Sequence, residues 1–240
     1  MLQRQEKPVV DRPDGTPAAS VEDAILSRRS VRAYLGKKVD RSTLESILIL
    51  ANQAPSGSNI QPWRVYVLTG QTLERVGGRI QSAFLNGEAG HKRDYAYYTA
   101  PLFEPYLSRR RACGWGMYDL LGIKKGEAEK MQIQRSGNYV FFGAPVGLIF
   151  TIDKRLERGS WIDYGMFLQN IMLLCRSHGL HTCPQASLGE FPDIVRSELG
   201  IPSEQIVVAG MSLGYADLDA PINAFQPTRQ SLSEFVTYWQ

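Results

Sequence analysis

Residues 162–178 read IDYGMFLQNIMLLCRSH. Met166, Phe167, Ile171, Met172, Leu173 and Leu174 fall on nearly every face of a 3.6-residue helix, and a helix apolar all round must be buried all round. A chain of 240 residues can bury a substantial core by itself. Enclosing one of its helices completely is expected to draw on a second protomer. Cys175 in this helix reads as a packed thiol, and His178 and His181 as flanks of its end.

The rest of the chain alternates helical and extended patterns. Ser20-Val21-Glu22-Asp23 resembles a capping box that opens a short helix through Ala24, Ile25 and Leu26. Leu44, Ile47, Leu48 and Ala51 repeat at helical spacing after Asp40, with Val39 able to staple the start. Residues 63–69 alternate as a strand ended by Gly70. A helix is expected over 71–85 despite the weakening pair Gly77-Gly78, and another over 127–142. Residues 145–153 (PVGLIFTID) and 205–211 read as apolar strands. Residues 191–199 form a short helix with Pro192 in its first turn, and Ser231-Leu232-Ser233-Glu234 opens a terminal helix or arm. The mixture predicts an α+β domain around one central sheet.

Two segments resist this reading. Met1 to Pro17 is polar, with a loosely ordered terminus and an arm that wraps a partner as the two readings; residues 1–19 are set apart as an N-terminal arm and 20–240 as the domain. Residues 86–124 crowd Tyr95, Tyr97, Tyr98, Phe103, Tyr106, Trp115 and Tyr118 with the basic trio Arg109-Arg110-Arg111. They read either as a lid or substrate-binding insertion or as a small helical layer over the core.

Charge and cysteine usage exclude several classes. A net charge of +3 without a basic block does not describe a nucleic-acid binder. No apolar run spans a membrane, and the N-terminus has no secretion signal. The three cysteines make no CxxC pair and suit free thiols in a reducing compartment. A cytoplasmic protein is expected.

Chemistry concentrates in a few places. Ser27-Arg28-Arg29-Ser30-Val31-Arg32 sets three arginines among serine hydroxyls, a pattern that grips a phosphate monoester through charged forks. The same cations suit the negative end of a helix dipole. No GxGxxG, Walker loop, HExxH or GxSxG occurs, and three histidines are too few and too scattered for a metal site. Pro55, Ser56, Gly57, Ser58 and Asn59 form a turn-rich loop, yet Gln61, Pro62 and Trp63 follow at the lip of a strand. An amide and an indole there suit a platform for a flat, polar-edged ligand. With no visible acid–base pair, a cofactor is expected to carry the chemistry.

These pieces resemble a known family. SRRSVRAY, APSGSNIQPWRVYVLTG, FFGAPVGLIF, WIDYGMFLQNIMLLCRSHGLHTCPQ and LGYAD…PINAFQPTR stand in the order and spacing of the FMN-dependent nitroreductases, from about residue 20 to 234. The resemblance implies an α+β sandwich with a central, mostly antiparallel sheet flanked by helices, built as an intertwined homodimer with FMN at the interface. It implies that Arg28, Arg29, Ser30 and Arg32 bind phosphate and ribityl, with Arg229 completing the phosphate site. Pro55, Ser56, Ser58, Asn59 and Gln61 would form a flavin wall from the other subunit, Gln61 reading a polar edge and Pro62-Trp63 fixing the loop on the sheet. Pro184, Gln185, Ala186 and Ser187 would lie beside the reactive ring edge, with a backbone N–H facing N5.

The implied activity is transfer of hydride from NADPH or NADH through FMN to a nitroaromatic or quinone acceptor by alternating occupancy of one slot. The nitro group would be reduced to nitroso and hydroxylamine. No catalytic side chain and no metal are implied. Reductive dehalogenation of halogenated aromatics is the alternative inside the family, although the Glu-x3-Tyr pair of its halotyrosine branch is absent from residues 86–140. Oxidative destruction of the flavin is a remoter one. A non-catalytic flavin-binding protein and a basic nucleic-acid-binding module are the alternatives outside it.

Overall fold

The computed structural model describes residues 15–240. Four strands form one antiparallel sheet: β1 (Arg64–Thr69), β2 (Val146–Asp153), β3 (His181–Gln185) and β4 (Gln205–Gly214), in the order β1-β2-β4-β3. Seven helices accompany it: α1 (Val21–Ser27), α2 (Arg41–Ala51), α3 (Gly70–Leu85), α4 (Tyr106–Leu120), α5 (Ala128–Ser136), α6 (Arg158–Ser177) and α7 (Pro192–Leu199).

The two central strands, β2 and β4, are buried on both faces. Leu148, Phe150 and Ile152 of β2 pack with Leu44, Ile47 and Ala51 of α2 and Phe167, Ile171 and Cys175 of α6. Between them, Ile149 turns to the opposite side, where Val76 and Ile80 of α3 and Ile194 and Val195 of α7 close a second core. Strand alternation thus feeds two helical layers from one strand. Burial pushes the Cys175 thiol well above its usual range, as expected of a packed, inert sulfur.

Local signals held where the reason was local. The Asp23 amide donates to Ser20 Oγ at 3.1 Å, and Asp23 Oδ2 accepts from the Ala19 amide at 3.3 Å, so the capping exchange reaches one residue further back than the box predicts. Leu44, Ile47 and Ala51 face the core, and Val39 packs against it.

Three elements differ from expectation. The helix foreseen over 127–142 stops at Ser136, because Phe141 and Phe142 turn back with positive φ and the Phe142 amide bonds to Gly137 O at 2.8 Å. β3 was not foreseen: HTCPQ shows no alternation, and Pro184 is tolerated because this is an edge strand, whose one neighbouring strand in the sheet is β4. α6 is not buried all round within its own chain. It packs Tyr164, Phe167, Ile171 and Cys175 inward while Ile162 stays 70% exposed.

Residues 86–124 contain α4, none of whose residues is buried. Of the arm expected at residues 1–19, residues 1–14 lie outside the described part. Residues 15–19 pack on the end of α6, where the Ala18 amide donates to Arg176 O and Arg176 Nη2 donates to Thr16 O, both at 2.9 Å.

The adjacent glycines of α3 separate helix propensity from packing. A Cβ on Gly77 would lie 2.9 Å from Tyr139 O and 3.2 Å from Val140 Cα, both backbone, whereas nothing lies within 4 Å of one on Gly78. Gly78→Ala is expected to stabilise the fold by roughly 0.5–1 kcal/mol through helix propensity. Gly77→Ala is expected to destabilise it by roughly 1–3 kcal/mol through overpacking. Urea unfolding midpoints of the two variants check the opposite signs.

Candidate functional site

The arginine segment leaves α1 in extended backbone. The Arg28 amide donates to Ala24 O at 3.0 Å, closing the helix, and the chain then runs beside β3. Ser30 bridges Thr182, and the Val31 amide donates to Thr182 O at 3.1 Å. The Arg32 side chain folds back onto Ser30 O at 3.1 Å. The last turn of α1 holds no basic residue, but Arg28 itself is its C-cap, at the negative end of the helix dipole.

Tertiary structure adds Arg229 to it. Burial, then the nearby positive charge of Arg229, lower the Arg28 guanidinium from its ordinary value. No carboxylate among the described residues pairs with either arginine. Arg229 itself donates only to Pro227 O at 3.0 Å and Thr228 O at 3.2 Å. Two guanidinium groups drawn together without a counter-charge form a site for an anion, and a phosphate would relieve their repulsion.

β3 and the turn after it carry a second feature. Among the described residues, Thr182 Oγ1, Gln185 Oε1 and Ser187 Oγ are buried without a hydrogen-bond partner. The Gln185 amide is held in place by its Nε2, which donates to Asn138 O at 2.7 Å. Buried polar atoms are ordinarily satisfied, so a row of open ones marks where a polar-edged ligand fits. From Thr182 beside the arginines to Ala186 is about 13 Å along a strand. That matches the span of a phosphate, a five-carbon chain and the near edge of a ring.

Pro184, Gln185 and Ala186 also line a cleft of about 750 Å³, walled by Tyr95, Tyr97 and Trp161. A larger cleft, about 1060 Å³, runs along the free edge of β1 between α2 and α3, and none of the expected cofactor residues lines it. The smaller one is the candidate active site, because Gln185, whose Oε1 is buried and open, lines it together with Pro184 and Ala186. Tyr95 offers this cleft no proton. Its hydroxyl donates to Val208 O at 2.6 Å, and burial pushes its ionisation up to about 12.

The third expected group stands apart. The loop of Pro55, Ser56, Ser58, Asn59 and Gln61 is closed on itself: the Gln61 amide donates to Ser56 Oγ at 3.0 Å and Gln61 Nε2 to Asn59 O at 2.9 Å. It is tied to the start of α6, where the Gly57 amide donates to Asp163 Oδ2 at 3.1 Å. Asp163 lies two residues from both Trp161 and Gly165 of the cleft wall, hence about 200° around the helix axis. It also lies about 20 Å along the axis from Arg176, which bonds to Ser27 at the arginine end at 3.1 Å. Within one chain, therefore, the arginines and residues 182–187 come together, and the loop does not reach them.

The indole of Trp63 is an anchor, not a ligand platform. It stacks on Phe167 of α6 with ring centroids 4.7 Å apart and an interplanar angle of 2°, and its Nε1 donates to Asn52 Oδ1 at 2.7 Å. The loop is thus fixed on α6 and the end of α2, and not on the sheet as expected.

Two determinants escaped the sequence reading. Asn223, in the short 3-10 turn Pro221–Ala224, accepts from the Arg32 amide through Oδ1 at 2.7 Å. Its Nδ2 donates to Ala33 O at 2.8 Å and Asp217 O at 2.7 Å. It clamps the arginine segment from nearly two hundred residues away, and its only local signal was its place in PINAF. Within 86–124, Arg93, Asp94 and Tyr95 are stitched to the turn after β3 and to β4. No periodicity marks them. Asn223→Ala strands these backbone groups and is expected to cost about 1–3 kcal/mol. Hydrogen exchange at Arg32 should accelerate while the amides of β2 keep their protection.

Comparison with known proteins gives the chain a family. Residues 25–215 match the profile of the nitroreductase family. The chain is 42% identical to chloronitrobenzene nitroreductase of Comamonas testosteroni, over 91% of this chain and 96% of that one. It is 41% identical to nitrobenzene nitroreductase of Ectopseudomonas oleovorans, with the same coverage. The solved FMN- and NADPH-dependent nitroreductase NfnB from sphigopyxis sp. strain HMH superposes with a TM-score of 0.89 at 37% identity, over 92% of this chain and 99% of that one. The antiparallel sheet flanked by helices is the fold those proteins share, and the chain belongs to the nitroreductase family.

Proposed function

We propose that the protein is an FMN-dependent NAD(P)H oxidoreductase that reduces nitroaromatic compounds. The observation that carries the reading is the polarity along β3: Arg28 and Arg229 close together with no carboxylate partner among the described residues, open buried polar atoms at Thr182, Gln185 and Ser187, and aromatic walls around Pro184–Ala186. That arrangement fits FMN. Relatives that act on chloronitrobenzene and nitrobenzene support the acceptor class, and a solved relative dependent on NADPH supports that donor; quinones share the flat, electron-poor ring.

Arg28 and Arg229 would hold the phosphate, with Arg29, Ser30 and Arg32 shaping the ribityl path. Pro184, Gln185, Ala186 and Ser187 would line the ring. Bound FMN supplies the hydride chemistry that no side chain here provides. The protein's contribution is orientation and exclusion of water. With the Tyr95 hydroxyl committed to Val208 O, protons come from solvent. Tyr97 and the residues after it cap the cleft and select among acceptors. Three free cysteines suit a cytoplasmic setting.

The working form is a two-fold homodimer. Pro55, Ser56, Ser58, Asn59 and Gln61 sit on the far side of α6 from their own chain's cleft, so they serve the partner's. Ile162, Ile49 and Val21, each exposed by two thirds or more, supply apolar surface for the interface. The separate domain assignment of residues 20–240, with 86–124 as its insertion, is part of this reading.

Two experiments test it. One slot for donor and acceptor requires alternating binding, so initial rates with a nitroarene should give parallel double-reciprocal lines against NADPH. Intersecting lines with two unrelated acceptors would mean a second site. Arg28→Ala should weaken FMN binding by roughly 1.5–3 kcal/mol, the scale of a charged hydrogen bond. Mixed and reassociated with a loop variant, Gln61→Ala combined with Asn59→Ala, it should recover about a quarter of the wild-type tight sites, since half the dimers are mixed and each holds one intact site. No recovery would place the loop and the arginines in one chain's site.

A further inference from the structure

Residues 86–105 look like excursion, yet their centre is bound to the floor of the cleft. Arg93 Nη1 donates to Ala186 O at 2.8 Å and Nη2 to Glu190 Oε1 at 2.5 Å. Its guanidinium thus spans the 3-10 turn Ala186–Glu190 from one end to the other. Tyr139 completes the brace by donating its hydroxyl to Glu190 Oε2 at 2.6 Å. Burial, then that hydrogen bond, push the Tyr139 phenol far above its usual range, so it remains the donor. On either side the turn carries the open buried atoms Gln185 Oε1 and Ser187 Oγ.

A carbonyl and the N–H of the same trans peptide point in opposite directions. A guanidinium on Ala186 O therefore directs the Ser187 N–H away from Arg93. It also polarises that peptide, strengthening whatever hydrogen bond the N–H donates. We propose that Arg93 is a positioning residue of the flavin site: it fixes and polarises the Ala186–Ser187 peptide, and its charge, balanced by Glu190, sets how strongly the site favours the reduced ring over the oxidised one. The inference rests on the FMN reading above. The sign follows from electrostatics. Two-electron reduction adds negative charge to the ring, so a nearby cation favours the reduced form and a nearby carboxylate opposes it.

The test is the midpoint potential of the FMN-loaded dimer, measured at low ionic strength, where charges a third exposed are least screened. Arg93→Gln should lower the preference for reduced FMN about tenfold, which is about 30 mV for a two-electron couple. Glu190→Gln, which keeps Arg93 and removes the opposing charge, should move the potential the other way. Arg93→Lys keeps the charge and should stay between wild type and Arg93→Gln. A brace that is only structural would shift the Gln variants in the same direction or leave both unchanged, and either result overturns the proposal. If Arg93→Gln fails to fold, Glu190→Gln and Arg93→Lys decide by the same criteria. Wild-type protein that holds no FMN would overturn the cofactor reading itself, a result distinct from FMN bound with an unmoved potential.

Discussion

One face of the sheet, and the two polar segments beside it, are hung on α6. At one end Arg176, almost wholly buried, donates to Ser27 Oγ, Leu180 O and Thr16 O, which fixes the close of α1 and the start of the described chain. At the other end Asp163 holds the Gly57 loop, and between them Phe167 takes the face of Trp63. The Tyr164 hydroxyl lies 3.0 Å from both Arg64 O and Thr151 O, tying the helix to β1 and β2. A helix of twenty residues, about 30 Å long, holds these two groups of contacts apart. Neither group can be moved toward the other without breaking the core.

The sheet adds a second kind of rigidity. β2 and β4 are buried on both faces, so the strands beside them cannot shift without disturbing two cores. β3 is the edge of that sheet, and its edge position explains both its proline and its use. An edge strand leaves one side free for something other than another strand, and here the arginine segment lies along it through the Ser30–Thr182 bridge. The groove is therefore a direct consequence of strand order.

The aromatic segment over the cleft combines two behaviours. Arg93, Asp94 and Tyr95 are bound to the turn after β3 and to β4, Asp94 Oδ2 accepting from the Val207 amide at 2.9 Å while Oδ1 pairs with Arg196. Beyond them Tyr97, Tyr98, Phe103 and Tyr106 are exposed, and α4 buries nothing. Local opening free energies follow burial and contact density, so the segment is held most firmly where it touches the cleft floor.

The sequence by itself determined what depends on neighbours in the chain. It placed the helix of Leu44, Ile47 and Ala51, the cap at Ser20 and the buried strand over 145–153, because helical and strand periods and capping are short-range effects. It also marked the arginine run and the polar loop, since their residue types are unusual for plain connections. Only the tertiary structure decided which of these meet. Arg229 joins Arg28, and Asn223 clamps Arg32, across nearly the whole chain; Trp63 turns its ring to Phe167 and not to a ligand; HTCPQ becomes a strand because β4 offers it an edge. The loop of residues 55–61 is tied to the start of α6 through Asp163. Such outcomes rest on long-range packing and hydrogen bonds between residues far apart in the chain, whose energies no local pattern encodes.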